Sequence, residues 1–159
     1  MRRVVALLVL APVALALVMS VPAPAAAQGH DAIVGKWLNA KKTAHIEIFP
    51  QDGKYRGKIV WLQEPNYPAN DAKGMAGQPK VDRENPDAAR RKQPILDLVI
   101  LRDFVHARDN TWEQGRIYDP ENGKDYKCKM KLVSPDTLDV RGFIGFSMLG
   151  RTETWTRVK

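Results

Sequence analysis

Apolar and polar positions alternate with a period of two along most of this chain, the rhythm of strands that bury one face and wet the other. Over Ala44 to Phe49, the residues Ala44, Ile46 and Ile48 oppose His45, Glu47 and Phe49. Asp52-Gly53 is a hairpin turn signal, after which Tyr55 to Gln63 sets Tyr55, Ile59 and Trp61 on one face. Gly57 falls on that face too, where a strand glycine marks a bend or a bulge. The alternation is cleanest over Lys124 to Leu132, with Tyr126, Cys128, Met130 and Leu132 on one side and Lys127, Lys129 and Lys131 on the other. Adding Ile33 to Leu38, Leu98 to Val105, Thr111 to Tyr118, Thr137 to Gly145 and Gly150 to Val158, the pattern predicts eight strands.

Short reversals join most of them: Arg108-Asp109-Asn110, Asp119-Pro120-Glu121-Asn122-Gly123 and Ser134-Pro135-Asp136. Short loops make successive strands antiparallel neighbours, so the prediction is an all-β, eight-stranded antiparallel up-and-down barrel, an architecture without free edges. One connection breaks the rhythm. Residues 64–94 carry Pro65, Pro68, Pro79 and Pro86, and connections this long inside a compact domain are functional or unstructured; this one reads as a flap against the sheet. It contains one predicted short helix, with Asn85 as N-cap, Pro86 at the first helical position and Arg90-Arg91-Lys92 in the last turn. The closing stretch, Leu138 to Arg157, is a strand-turn-strand unit punctuated by Gly142, Gly145 and Gly150.

The first 27 residues stand outside this pattern. Arg2 and Arg3 precede an apolar run from Val4 to Val18, and Ala25-Ala26-Ala27 offers small residues for cleavage, the three parts of a secretory signal peptide. The run is shorter than the roughly 20 residues that span a bilayer, which favours cleavage over anchoring. A single barrel domain is therefore expected over residues 28–159, in a bacterial protein that is periplasmic or secreted after cleavage near Ala27. Loss of the two signal arginines takes the formal charge from +7 to +5, a basic balance suited to anionic surfaces. Cys128 is the only cysteine, so no intramolecular disulfide forms and the domain depends on packing. Its alternation with Tyr126 and Met130 reads as a small buried apolar residue.

Motifs for chemistry are sparse. His30, His45 and His106 are scattered without zinc spacing, and Asp82, Glu84 and Asp87 lack the pattern of a calcium loop, so no metal and no cofactor is expected. Ser134 and Ser147 sit in no nucleophile elbow, phosphate-binding glycine patterns are missing, and the dispersed basic residues match no nucleic-acid module. No catalytic residue is assigned. What remains is binding. Trp61, Tyr118, Arg141 and Trp155 are the candidate residues for a small hydrophobic or amphipathic ligand held in a barrel cavity. A rival reading has Lys127, Lys129 and Lys131, a stripe roughly 13 Å long, contact an anionic envelope surface, or simply form a solvated face. Arg157 has two readings as well: it faces a ligand, or it packs on Trp37 as a structural latch.

Gly35-Lys36-Trp37, Gly57-Lys58-Ile59-Val60-Trp61-Leu62, Asn85-Pro86-Asp87, Ile117-Tyr118-Asp119-Pro120 and Arg141-Gly142-Phe143-Ile144-Gly145 through Leu149-Gly150-Arg151-Thr152 to Trp155 together resemble the bacterial exported family called domain of unknown function 2147. That resemblance implies a calycin-like barrel, similar to lipocalins and fatty-acid-binding proteins, and brings no established activity. Gly35, Trp37 and Arg157 also resemble, in type and order, the Gly-x-Trp and late Arg of lipocalins. The long connection follows the third strand here, not the first as in lipocalins, so no ligand-binding residue is carried over from them.

Overall fold

The computed structural model describes residues 29–159, and in them eight antiparallel strands close into one barrel in sequence order. They are β1 (Gly35–Leu38), β2 (Ala44–Gln51), β3 (Lys54–Leu62), β4 (Val99–His106), β5 (Thr111–Asp119), β6 (Lys124–Ser134), β7 (Thr137–Phe143) and β8 (Arg151–Arg157). The predicted signal peptide, residues 1–27, lies outside the described residues. The seam between β1 and β8 is short, with only Trp37 opposite Arg157 and Leu38 opposite Thr156.

Alternating connections give the barrel two unlike ends. At one end lie the β2–β3, β4–β5 and β6–β7 turns together with a 3-10 turn, His30–Ile33. This end is filled: Trp37, Leu101, Phe104, Trp112 and Leu138 are fully buried. Side chains of the barrel hold the N-terminal turn as a plug. Trp37 Nε1 donates to Ile33 O at 2.8 Å, Trp112 Nε1 to His30 O at 3.1 Å, and the Tyr55 hydroxyl to Asp31 Oδ1 at 2.8 Å. The other end, with the β1–β2 turn, the 64–94 connection, the β5–β6 turn and the β7–β8 loop, is the open one.

Two irregularities matter for what faces inward. In the β2–β3 ladder Ile46 pairs with Ile59 but His45 pairs with Trp61, so Val60 is an extra residue and the strand's phase reverses there. The shared face read for Tyr55, Ile59 and Trp61 is thereby corrected: Tyr55 and Ile59 are buried, whereas Trp61 turns outward and stacks on the His45 ring at 4.4 Å between centroids. Leu62 takes the inward place, opposite Ala44. Gly57 marks a second irregularity, since the β3–β4 register shifts on both sides of it and a Cβ there would meet Leu101 Cδ1 at 2.7 Å.

The predicted short helix also needs correction. Only a 3-10 turn forms, Ala88–Arg90, and its cap is Asp87, whose carboxylate accepts from Ala89 N at 3.0 Å. Asn85 is committed elsewhere: its amide donates to Asp82 Oδ2 at 2.6 Å and its Oδ1 accepts from Asp87 N at 2.9 Å. That oxygen closes a turn on the Asp87 amide ahead of the 3-10 segment, and no α-helix starts behind it.

Cys128 is 1% exposed and burial pushes its thiol up to about 12. Burial, then the hydrogen bond to Asp31, does the same for Tyr55, to about 12. Both groups stay neutral in the folded chain at a pH where the unfolded chain ionises them. Their contribution to stability is thus complete below the ordinary values of 9.0 and 10.0 and is lost as pH rises toward about 12. Thermal melts should accordingly fall steeply over that alkaline range; a melting temperature that held level through it would contradict the assignment.

Candidate functional site

The open half of the barrel is hollow. A cavity of about 960 Å³ opens between the β1–β2 turn, the β5–β6 turn and the 64–94 connection. Its depths are apolar, walled by Ala44, Ile46, Ile59, Ile100, Val140 and Trp155, which are the inward positions of their strands. Trp155 is 2% exposed and its indole Nε1 has no hydrogen-bond partner. A buried donor without a partner costs about 1–3 kcal/mol, a cost the fold carries where the Trp155 ring packs into the apolar wall.

The connection 64–94 forms one side of the mouth and is built as a small folded unit. Tyr67 is buried and its hydroxyl both donates to Val81 O at 2.9 Å and accepts from Val81 N at 3.2 Å. Arg83 lies over the Tyr67 ring at 4.1 Å and reaches Asp71 Oδ1 at 2.8 Å. The Asp71 carboxylate also accepts from Met75 N at 3.0 Å, and these bonds hold its carboxyl below the usual carboxylate range, the Met75 amide contributing most.

The unit is fastened to the barrel at Asp82. This carboxylate is fully buried, accepting from the Tyr118 hydroxyl at 2.7 Å and from the Asn85 amide at 2.6 Å. Burial, and then the bond to Asp82, raises the Tyr118 hydroxyl far above its ordinary range, so it remains a donor. Gly123 makes a second fastening. It has φ +70, and a Cβ there would lie 2.0 Å from the Glu84 carbonyl oxygen, so only glycine lets the β5–β6 turn approach so closely.

Charge is distributed unevenly around the mouth. Glu64, Asp71, Glu84, Asp119, Glu121 and Glu153 face Lys41, Lys80, Arg83 and Arg151; five of these six carboxylates are ion-paired, Glu84 with Lys73 from outside the lining, and Asp119 has no ion-pair partner among the described residues. Lys41 and Glu121 meet at 2.6 Å, joining the β1–β2 turn to the β5–β6 turn. Both are half or more exposed, and a pair so wet contributes little to stability.

Of the residues singled out from the sequence, Tyr118 and Trp155 line this cavity, whereas Trp61 and Arg141 do not. Trp61 is turned out by the Val60 bulge. Arg141 lies on the outer face of β7, where its guanidinium donates to Ser147 O at 2.9 Å and to Thr152 Oγ1 at 2.8 Å. Gly35, Trp37 and Arg157 meet at the closed end, away from the cavity: the Arg157 guanidinium stands 4.2 Å over Trp37 and donates to the carbonyls of Ala32, Val34 and Pro135. Lys127, Lys129 and Lys131 are exposed on the outside of β6. Sequence reasoning missed the charged mouth, because its carboxylates come from separate turns, and the role of Asp82, whose partner Tyr118 lies 36 residues away.

Comparison with known proteins bears on the whole domain. A family model described as an uncharacterized protein conserved in bacteria, DUF2147, matches residues 35–157. Among solved structures, a protein of the human pathogen Helicobacter pylori, described as belonging to the lipocalin family, superposes with a TM-score of 0.60 over 73% of each chain at 21% identity. A likeness at that identity is one of fold. No curated protein matches the chain.

Proposed function

The chain belongs to the DUF2147 family of uncharacterized bacterial proteins, and from its hollow, lipocalin-like barrel we propose that it is a non-enzymatic carrier of one small amphipathic molecule. The observation that carries this reading is the cavity in the open half of the barrel, whose inner wall is made of Ile46, Ile59, Val140 and Trp155. A ligand with an apolar body would cover that wall and leave its polar end at the mouth. The cavity, about 960 Å³, falls in the range of pockets that enclose a small molecule.

Charge at the mouth narrows the class. An anionic headgroup would meet Asp119, the mouth carboxylate without an ion-pair partner among the described residues, whereas an uncharged or cationic end meets no such repulsion. Barrels of this type therefore need not be fatty-acid carriers, and this one is suited to amines, alcohols or esters. Export after removal of residues 1–27 would put the carrier in the periplasm or outside the cell, the setting the sequence predicts.

Displacement of an environment-sensitive lipid probe tests the reading. Amines and alcohols of a given chain length should compete at least about fivefold better than the matching carboxylic acid. If the acid competes best, or native mass spectrometry of the protein purified from its own source and probe displacement both come out blank, the carrier reading fails.

A further inference from the structure

The β7–β8 loop presents Ile144, Phe146, Met148 and Leu149 to solvent, each between 70% and 88% exposed. Contiguous apolar surface of this kind on a soluble fold marks an interaction site. The loop is braced. Arg141 donates to Ser147 O at 2.9 Å and to Met148 O at 3.3 Å, and residues Ser147–Leu149 form a 3-10 turn. At its base, a Cβ on Gly150 would meet Gly142 O at 2.6 Å, so the two strands approach closely there. The apolar side chains thus project from a shaped tip on the open end of the barrel.

A row of lysines without ion-pair partners runs down the barrel wall from that tip. Lys127 and Lys129 project outward from β6, opposite Phe143 and Arg141 of β7, and Lys131 continues the row opposite Asp139. Among the described residues none of the three lysines makes an ion pair, in contrast to Arg102 and Arg116, which are both tied to Asp125. A shallow groove lined by Arg116, Lys127, Lys129, Phe143 and Ser147, with Glu113 as its one carboxylate, connects the row with the loop. The mouth's carboxylates do not oppose this face: Glu121 is matched by Lys41, Asp71 by Arg83 and Glu84 by Lys73.

An apolar tip bordered by free lysines is the chemistry of a peripheral contact with an anionic bilayer, in which the tip enters the acyl boundary and the cations rest among headgroups. We infer that the β7–β8 loop docks the barrel on an anionic phospholipid surface, with the outer face of β6 and β7 against the headgroups and the cavity mouth beside them. Free lysines favour this occupant over a second copy, since two such faces would bring like charges together. The docking claim is independent of what the cavity carries, although it would put a lipid-soluble cargo within reach of its source.

Co-sedimentation of protein beginning at Gln28, which contains the whole closed barrel, with vesicles of phosphatidylglycerol and phosphatidylcholine in equal parts tests it. Binding is expected, with little to vesicles of phosphatidylcholine alone. The paired change Phe146→Asp and Met148→Asp should reduce binding at least tenfold, with circular dichroism and lipid-probe displacement unchanged because these side chains are exposed and outside the cavity. Replacing Lys127, Lys129 and Lys131 by Gln should weaken binding about fivefold per lysine and flatten its salt dependence. The inference is overturned by absence of vesicle binding, by binding indifferent to the loop substitutions, or by a dimer that the loop substitutions dissociate in protein that ignores vesicles.

Discussion

Replacing Arg157 by alanine is expected to lower the melting temperature by roughly 10 °C, the equivalent of about 2–4 kcal/mol in a domain of this size. The guanidinium donates to Pro135 O at 2.7 Å, Val34 O at 2.9 Å and Ala32 O at 2.7 Å while covering Trp37 at 4.2 Å. Hydrogen bonds from a charged donor are worth about 1.5–3 kcal/mol each and do not simply add, and the cation-π contact contributes about 0.5–2 kcal/mol more. The loss falls where the barrel is weakest, because β1 and β8 share only two register pairs. Gly35 belongs to the same device: with φ +128 and a would-be Cβ 2.9 Å from Arg157 Nη1, it makes room for the guanidinium. Arg157→Lys should recover less than half of the loss, since one ammonium cannot present a planar fork to three carbonyls. An alanine variant that melts within about 2 °C of the parent would show that the latch is ornamental.

Asp82→Ala should cost a comparable amount, about 2–5 kcal/mol, and should release the 64–94 connection before the barrel itself melts. Removing the carboxylate also removes the expense of burying it, so the net effect is that of the Tyr118 hydroxyl and the Asn85 amide left without an acceptor. Hydrogen exchange should speed up across residues 64–94 and stay slow in β6 and β7. Tyr118→Phe alone should cost less. Combined with Asp82→Ala it should add little, because the second change deletes a donor already orphaned by the first. Strict additivity of the two, or exchange rates in the connection equal to the parent's, would mean that Asp82 does not fasten the connection to the barrel.

These two residues mark different degrees of legibility. Arg157 and Trp37 could be paired from the sequence because each occupies the strand that closes the barrel, but whether they faced ligand or latch was open until the closed end proved to be packed solid around them. Asp82 was visible only as one of three nearby acids. Those acids diverge: Asp82 is buried on Tyr118, Glu84 pairs with Lys73, and Asp87 caps a 3-10 turn. Half of the cavity assignment was legible. Trp155 follows strict alternation along β8, whereas Trp61 obeys alternation only up to Val60, where one unpaired residue turns every later side chain to the opposite face. Arg141 alternates outward with its neighbours; its chemistry suggested a ligand, its phase did not.

Local patterning set the all-β class, the strand order, the antiparallel pairing and the family, because period-two alternation and turn residues act over a few neighbouring positions. It also determined which face of β6 is wet, since three lysines in alternation cannot all be buried. Which half of the barrel is filled and which is hollow, how the charges at the mouth balance, and the exposure of the β7–β8 loop emerge only in the folded chain. Those properties depend on side chains brought together from distant parts of the chain, and a single displaced register, such as the one at Val60, changes them without altering the local pattern on either side.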